Sequence, residues 1–121
     1  MERYVSVDGD ERPIRIMLVG CGRISERHID AITDNEHLEL VAVCDEVAER
    51  ARTAGEKNDV PFFTSYEKML EAVPADVVAI CTPSGMHPKQ GIMAAERGLH
   101  VICEKPMATR LEEADALVKA C

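Results

Sequence analysis

Positive charge is scarce in this sequence. Lys and Arg number 14 against 22 Asp and Glu, for a net charge of −8. Nucleic acid and anionic membrane surfaces both require a basic face, so neither is an expected partner. Long apolar runs are missing too. The longest, Leu40 to Cys44 and Val77 to Cys81, hold five residues each, whereas a membrane span needs about 20. No basic stretch followed by an apolar one opens the chain, so export is not expected and a cytoplasmic setting is. The five cysteines, Cys21, Cys44, Cys81, Cys103 and Cys121, are odd in number. No two of them have the close spacing of a zinc site or a redox dithiol. Reduced, buried thiols are the plain reading. The alternative is a metal or redox cluster of Cys21, Cys44, Cys81 and Cys103 near one sheet edge. No repeat, low-complexity tract or internal linker divides the chain.

What is present suits one globular domain. The chain has 121 residues, 46% of them hydrophobic, enough to bury about two-thirds of the unfolded surface. Residues 1–13 are polar and read as a flexible leader. After Pro13, strand and helix patterns alternate. Ile14 to Val19 is a β-branched-rich run stopped by glycine, a buried strand. Arg23 to Asn35 carries Ile24, His28, Ala31 and Ile32 at helical spacing. Leu38 to Cys44 is a second strand. Val47, Ala51 and Ala54 form a helical stripe, with Gly55 as its stop. Pro61 to Phe63 is a weak third strand. Ser65 can cap a helix bearing Tyr66, Met69, Leu70 and Val73. Val77 to Cys81 is a fourth strand, Pro88 to Gly98 a helix, and Leu99 to Cys103 a fifth strand. Thr109 to Glu112 has capping-box spacing and opens a last helix. No strand alternates cleanly between apolar and polar residues, which points to a parallel sheet covered by helices on both faces. Right-handed crossovers make this a doubly wound α/β sheet.

In such a sheet ligands bind at the C-terminal ends of the strands. The first strand ends in Gly20-Cys21-Gly22-Arg23-Ile24-Ser25. Gly20 permits a tight turn, and Gly22 lets a pyrophosphate approach the backbone. The following helix offers free N–H groups and the positive end of its dipole. Ser25 stands where a third glycine or alanine is usual, so the turn alone could be an ordinary strand-to-helix connection. Asp45 ends the second strand 23 residues after Gly22, near the interval expected for the carboxylate that grips the adenosine ribose. A carboxylate there, with Glu46 beside it, repels a 2′-phosphate and favours NAD over NADP. A helix-capping role for Asp45 is the alternative, and both can hold together. Thr82-Pro83-Ser84-Gly85-Met86-His87 after the fourth strand suits a wall of the nicotinamide pocket. There, Ser84 as a plain helix cap fits the spacing equally well. Glu104-Lys105-Pro106 ends the fifth strand. Desolvation at a strand end lowers a lysine pKa, which suits Lys105 to proton transfer with a hydroxyl. A solvated ion pair with Glu104 is the competing reading.

Taken together these segments resemble the Gfo/Idh/MocA family of sugar oxidoreductases. The matching pieces are the glycine turn with His28, Val41 to Asp45, Thr82 to His87, and Glu104-Lys105-Pro106-Met107-Ala108-Thr109. The wording of the motifs is similar to a branch that oxidises the 3-hydroxyl of UDP-N-acetylglucosaminuronic acid. The resemblance implies a Rossmann domain over residues 14–121 with strand order 3-2-1-4-5, and NAD as cofactor. It implies that Gly20, Gly22, Arg23 and Ile24 cradle the pyrophosphate and that Asp45 holds the ribose. By the same likeness Thr82, Pro83, Ser84 and His87 line the dinucleotide's path, Glu104 sits by the nicotinamide ribose, and Lys105 contacts the reacting hydroxyl. Family members continue into a second α/β domain that forms the sugar pocket and the usual oligomer interface. On this likeness the chain reads as a cofactor domain without its substrate domain, inactive alone, with homo-oligomers expected only at full length. Two other functions stay open: a non-catalytic module that senses NAD(H), and a dehydrogenase of a free sugar, an inositol or another cyclic alcohol.

Overall fold

Strand β1 (Ile14–Val19) lies at the middle of the sheet because it is apolar on both faces, with Met17 and Leu18 fully buried. The structure is a computed structural model that describes residues 12–82 and 86–103. After β1 come α1 (Ser25–Thr33), β2 (Leu38–Cys44), α2 (Ala48–Asn58) and β3 (Phe62–Phe63), then α3 (Tyr66–Ala72), β4 (Val77–Ile80), α4 (His87–Glu96) and β5 (His100–Cys103). All strand pairs are parallel, in the order β3-β2-β1-β4-β5. This is the doubly wound order expected from the sequence. The order reverses between β1 and β4, and in sheets of this kind ligands bind beyond the C-terminal ends of the strands at that reversal. The leader through residue 11, Pro83, Ser84, Glu104, Lys105 and the helix expected after Thr109 lie outside the described residues.

The core has two halves, one on each face of the sheet. Met17, Val19, Ala42, Cys44, Val78 and Ile80 pack against Met69 and Leu70 of α3 and Ala94 of α4. Ile16, Leu18, Leu40, Val43 and Ala79 pack against Ile29 and Ile32 of α1. A bulge makes this division possible in β2. Ile16 pairs with Leu40 but Met17 pairs with Ala42, which leaves Val41 as an extra residue. The slip changes which face each later side chain of β2 meets. Removing a side chain the size of Met69 or Ile80 from such a core costs about 2–5 kcal/mol.

At the opposite end of the sheet, Asp76 ties the chain's entry to β4. Its carboxylate accepts from both terminal nitrogens of Arg12, at 2.6 and 2.9 Å, and from the Arg15 N–H at 2.9 Å. These donors hold the carboxyl well below the usual carboxylate range, against the opposing effect of burial.

The structure corrects several expectations. Gly55 does not stop α2. It is buried within the helix, which runs on to Asn58 and ends on Asp59 in the left-handed region, φ 53°. A Cβ at Gly55 would come within 2.8 Å of the Phe62 side chain, so the glycine is there for helix–strand contact. Val47 is the exposed N-cap of α2 and lies off the buried stripe. In α1 the inward positions are Ser25, Ile29 and Ile32, while Ile24 and Ala31 face solvent. Ile24 precedes the first helical turn and projects at the strand-end crevice, so the stripe begins one residue later. Strand β5 does alternate, with His100 and Ile102 exposed and Val101 and Cys103 half-buried. It is the outer strand among the described residues, where α4 packs against it.

Candidate functional site

The glycine turn is built by close backbone approach. Gly20 has φ +94°, and its N–H donates to the Cys44 carbonyl at 2.7 Å. A Cβ on it would lie 2.6 Å from the Cys81 carbonyl carbon and 2.7 Å from the Thr82 nitrogen. Glycine is therefore required twice over, by conformation and by space. Gly22 differs. No atom of the described residues lies within 4 Å of where its Cβ would be. Among the described residues that side of Gly22 is open, at the mouth of α1.

Helix α1 has no side-chain N-cap bond. The N–H groups of Gly22, Arg23 and Ile24 donate to no acceptor among the described residues. Ser25 closes the turn: its hydroxyl donates to the Gly22 carbonyl at 2.6 Å, and its N–H donates to the same oxygen at 3.1 Å. Serine thus does more than fit the third small position. Free N–H groups at a helix start beside an open glycine suit an anionic group such as a pyrophosphate.

Asp45 is 7% exposed, and both its carboxylate oxygens are engaged. Oδ2 accepts from the Cys21 N–H at 2.8 Å, and Oδ1 accepts from the Val47 N–H at 2.8 Å. It is not the N-cap of α2; it sits two residues before it and folds the chain into the helix. Each oxygen retains a lone pair, so the carboxylate can still accept from ribose hydroxyls.

A groove of about 490 Å³ runs along the strand ends. Its walls include Gly22, Asp45, Thr64, Tyr66, Thr82 and Gln90. Gly20, Arg23 and Ile24 line it as well. The sequence-predicted residues that the structure describes are thus gathered at one place, with one exception. His87 is 1% exposed, and its ring lies under the groove with Nε2 at 2.5 Å from the Thr82 carbonyl. Pro83, Ser84, Glu104 and Lys105 lie outside the described residues.

Sequence reasoning missed the floor of the groove. The Thr82 hydroxyl donates to Gln90 Oε1, and the Tyr66 hydroxyl donates to the Gln90 carbonyl at 2.7 Å. Burial, with the Cys44 thiol beside it, raises the Tyr66 hydroxyl above its ordinary range, so it stays protonated as a donor. The one available signal was spacing: Gln90 follows His87 by three residues and shares its helix face.

Cys21 and Cys103 are half-buried, and Cys44 and Cys81 are buried. Burial pushes Cys21 up to about 12 and Cys44 to about 11, with the Asp45 charge adding to each. No metal-binding group of three or more ligands occurs among the described residues. A second cavity of about 510 Å³ lies between α1 and α2, lined by Ile29, Arg50 and Ala54 among others. No helix of the described residues is long and apolar enough to cross a membrane.

Comparison with known proteins gives the same picture. The family model for the Gfo/Idh/MocA proteins, described as an oxidoreductase family with an NAD-binding Rossmann fold, matches residues 14–121. The WlbA dehydrogenase of Bordetella pertussis, solved in complex with NADH and UDP-GlcNAcA, superposes with a TM-score of 0.89 at 47% identity. That match covers 91% of this chain and 34% of the other. D-glucoside 3-dehydrogenase of Escherichia coli is 38% identical over 84% of this chain and 30% of its own length. An NADP(+) scyllo-inositol 2-dehydrogenase of Bacillus subtilis is 32% identical, over 88% of this chain and 33% of its own length. The chain spans about a third of the length of each of these relatives.

Proposed function

The chain belongs to the Gfo/Idh/MocA oxidoreductase family, as an NAD-binding Rossmann domain; from this we propose that it is the cofactor half of an NAD-dependent dehydrogenase of a sugar or sugar nucleotide. One observation carries the cofactor reading. The open side of Gly22, the free N–H groups of α1 and the Asp45 carboxylate share one groove at the strand ends. Anionic phosphates fit the first two, and ribose hydroxyls fit the third. A 2′-phosphate would meet the charge of Asp45 and of the exposed Glu46 next to it.

We assign the roles by resemblance to the family. Gly20, Gly22, Arg23 and Ile24 hold the pyrophosphate, and Asp45 holds the adenosine ribose. Thr82, Pro83 and Ser84 border the dinucleotide's path, with His87 supporting Thr82 from beneath. Glu104 binds the nicotinamide ribose. Lys105 contacts the substrate hydroxyl and accepts its proton. Bound NAD supplies the two-electron acceptor that takes hydride from the same carbon. UDP-N-acetylglucosaminuronic acid, oxidised at C3, is the substrate we favour, because the relative crystallised with that sugar nucleotide has 47% identity against 38% and 32% for the glucoside and inositol enzymes.

The cofactor reading is tested by titrating the 121-residue chain with NADH and NADPH and following fluorescence. NADH is expected to bind at least tenfold more tightly. Undetectable NADH binding at millimolar concentration overturns the reading. The substrate is tested in a chimera with the second domain of the Bordetella dehydrogenase, by NADH formation from the sugar nucleotide, glucose and an inositol. Lys105→Ala in that chimera should remove turnover and leave NADH binding intact.

A further inference from the structure

Helices α1 and α2 cover the same face of the sheet and stand apart on it. Both pack toward the core half that contains Leu18 and Val43, α1 through Ile29 and Ile32 and α2 through Ala54. Each touches β2, but the two barely touch each other. The inward residues of α2 include Ala51, Ala54 and Gly55, which are too short to reach α1. The cleft left between the helices has a volume of about 510 Å³.

The two walls of this cleft carry opposite charge. The α1 wall presents Glu26 and Asp30, and the α2 wall presents Arg50 and Lys57. Glu49, at the start of α2, is the one lining charge of contrary sign. All five side chains are exposed. No ion pair joins one wall to the other among the described residues. Ile29 and the half-buried Ala54 form an apolar floor, and Val47, 44% exposed, stands at the end nearest the glycine turn. A surface that fits an acidic wall, an apolar floor and a basic wall has the same three parts in reverse order. The chain itself carries that surface.

We propose that the α1–α2 cleft is a docking surface for a second copy of this chain, with α1 of each copy lying against α2 of the other. The two helices run parallel, because each returns from the end of one parallel strand to the start of the next. A two-fold axis along the helices lays acid on base twice, whereas an axis across them lays acid on acid and base on base. The levels agree as well. Glu26 is the second residue of α1 and Arg50 the third of α2, a difference of about 1.5 Å along the axis. Asp30 and Lys57 differ by about 6 Å, within the reach of a lysine side chain. The two clefts thus close into one four-helix layer with Ile29 and Ala54 inside. Helices of 9 and 11 residues bury on the order of 1,000 Å² in total from both copies, the low end for a specific interface. The dimer is therefore weak and forms between about 10 μM and 1 mM. The net charge of −8 on each copy opposes it, and a screening length of about 10 Å at 0.1 M salt mutes that repulsion while sparing contacts inside the interface. The proposal does not depend on the cofactor reading.

Sedimentation velocity of the 121-residue chain at about 0.1 M salt tests it. Wild type should pass from monomer to dimer over that concentration range. Glu26→Lys with Asp30→Lys makes both walls basic, and Arg50→Glu with Lys57→Glu makes both acidic. Each double variant alone should associate at least tenfold more weakly. The first is the sharper case: it is four charge units less negative than wild type, so general repulsion would predict tighter association. An equimolar mixture of the two should regain a dimer with one copy of each, since the basic α1 then meets an acidic α2 and the acidic α1 a basic α2. Wild type that stays monomeric at millimolar concentration overturns the proposal and leaves the cleft to a different protein or a zwitterionic small molecule. A wild-type dimer that the reversals leave unchanged, or a mixture that stays monomeric, overturns it equally.

Discussion

The carboxylate of Asp45 and the backbone N–H of Cys21 meet at 2.8 Å, which joins the end of β2 to the middle of the glycine turn. The other oxygen of the same carboxylate holds Val47 at the start of α2. One side chain thus fixes the turn and the helix entry together, at the position we propose for the ribose. Asp45→Ala should therefore do more than weaken ribose binding. It leaves two partly buried N–H groups without acceptors, each costing about 1–3 kcal/mol. NADH affinity should fall by at least tenfold and the thermal midpoint should drop with it. For the same reason, Asp45→Ser should not convert the chain to NADPH use. A stable Asp45→Ser variant with tight NADPH binding would refute the coupling.

Gly20 and Gly22 separate folding from binding. Gly20→Ala forces a side chain into φ +94° and against the backbone of Cys81 and Thr82. The conformational cost alone is about 1–3 kcal/mol, and the clash adds to it. This variant should show a large loss of stability in urea. Gly22→Ala meets no atom of the described residues, so its unfolding midpoint should match wild type. Its methyl group occupies the space the phosphates need, so NADH binding should be lost. Equal behaviour of the two variants would contradict the assignment of Gly22 to the pyrophosphate.

Gly55 shows where local sequence reading stops. A glycine after a helical stripe reads as a stop, whereas the role of Gly55 is set by Phe62, which is distant in local pattern and packs against it. Gly55→Ala should destabilise the chain by about 1–3 kcal/mol through overpacking. Phe62→Ala in the same chain should recover part of that loss, because it removes the atoms the new methyl group meets. Additive losses in the double variant would show that the contact is not the cause.

The same contrast runs through the whole chain. The strands around Met17, Val43 and Ile80 were legible because a buried parallel strand is an uninterrupted apolar run, and Gly20, Gly22 and Asp45 because their spacing carries chemistry. The bulge at Val41 was not legible, since the run Leu40 to Cys44 is apolar throughout and gives no sign of a slip in pairing. Nor was the network of Tyr66, Thr82 and Gln90. Its partners are 24 and 8 residues apart in sequence and belong to different elements, so only the packed fold brings them together. His87 read as a groove residue because its motif borders the groove, while its ring turns into the core.

Acid should reveal the anchor at the other end of the sheet. Asp76 is held below the usual carboxylate range, first by its hydrogen bonds to Arg12 and also by those to Arg15. A folded value below the unfolded one means that stability is present above the unfolded value of about 3.9. That stability is lost as pH falls through the folded value. Urea midpoints of wild type should therefore decline steeply below about pH 4. Asp76→Asn should be less stable at neutral pH and show a shallower decline in acid. Parallel pH profiles for the two chains would remove Asp76 as the cause.

The thiols at the strand ends should respond at the alkaline end. Cys21 and Cys44 are pushed to about 12 and about 11, chiefly by burial and then by the Asp45 charge. Cys21 Sγ also donates to the Cys44 carbonyl at 3.4 Å, a bond its thiolate could not make. Only the thiolate is a good nucleophile, so iodoacetamide at pH 7.5 should modify both positions far more slowly than in the urea-unfolded chain, as read site by site by mass spectrometry. The folded values lie above the unfolded one of about 8.5, so the two thiols stabilise the fold below that pH. Their contribution fades as pH rises through about 11 and about 12. Cys21→Ser should leave the glycine turn intact, since a hydroxyl can donate to the same carbonyl, and should delay alkaline unfolding to higher pH. Rapid alkylation of Cys21 in the folded chain at pH 7.5 would show instead that the thiol is open and ionised, and the strand-end environment described above would be wrong.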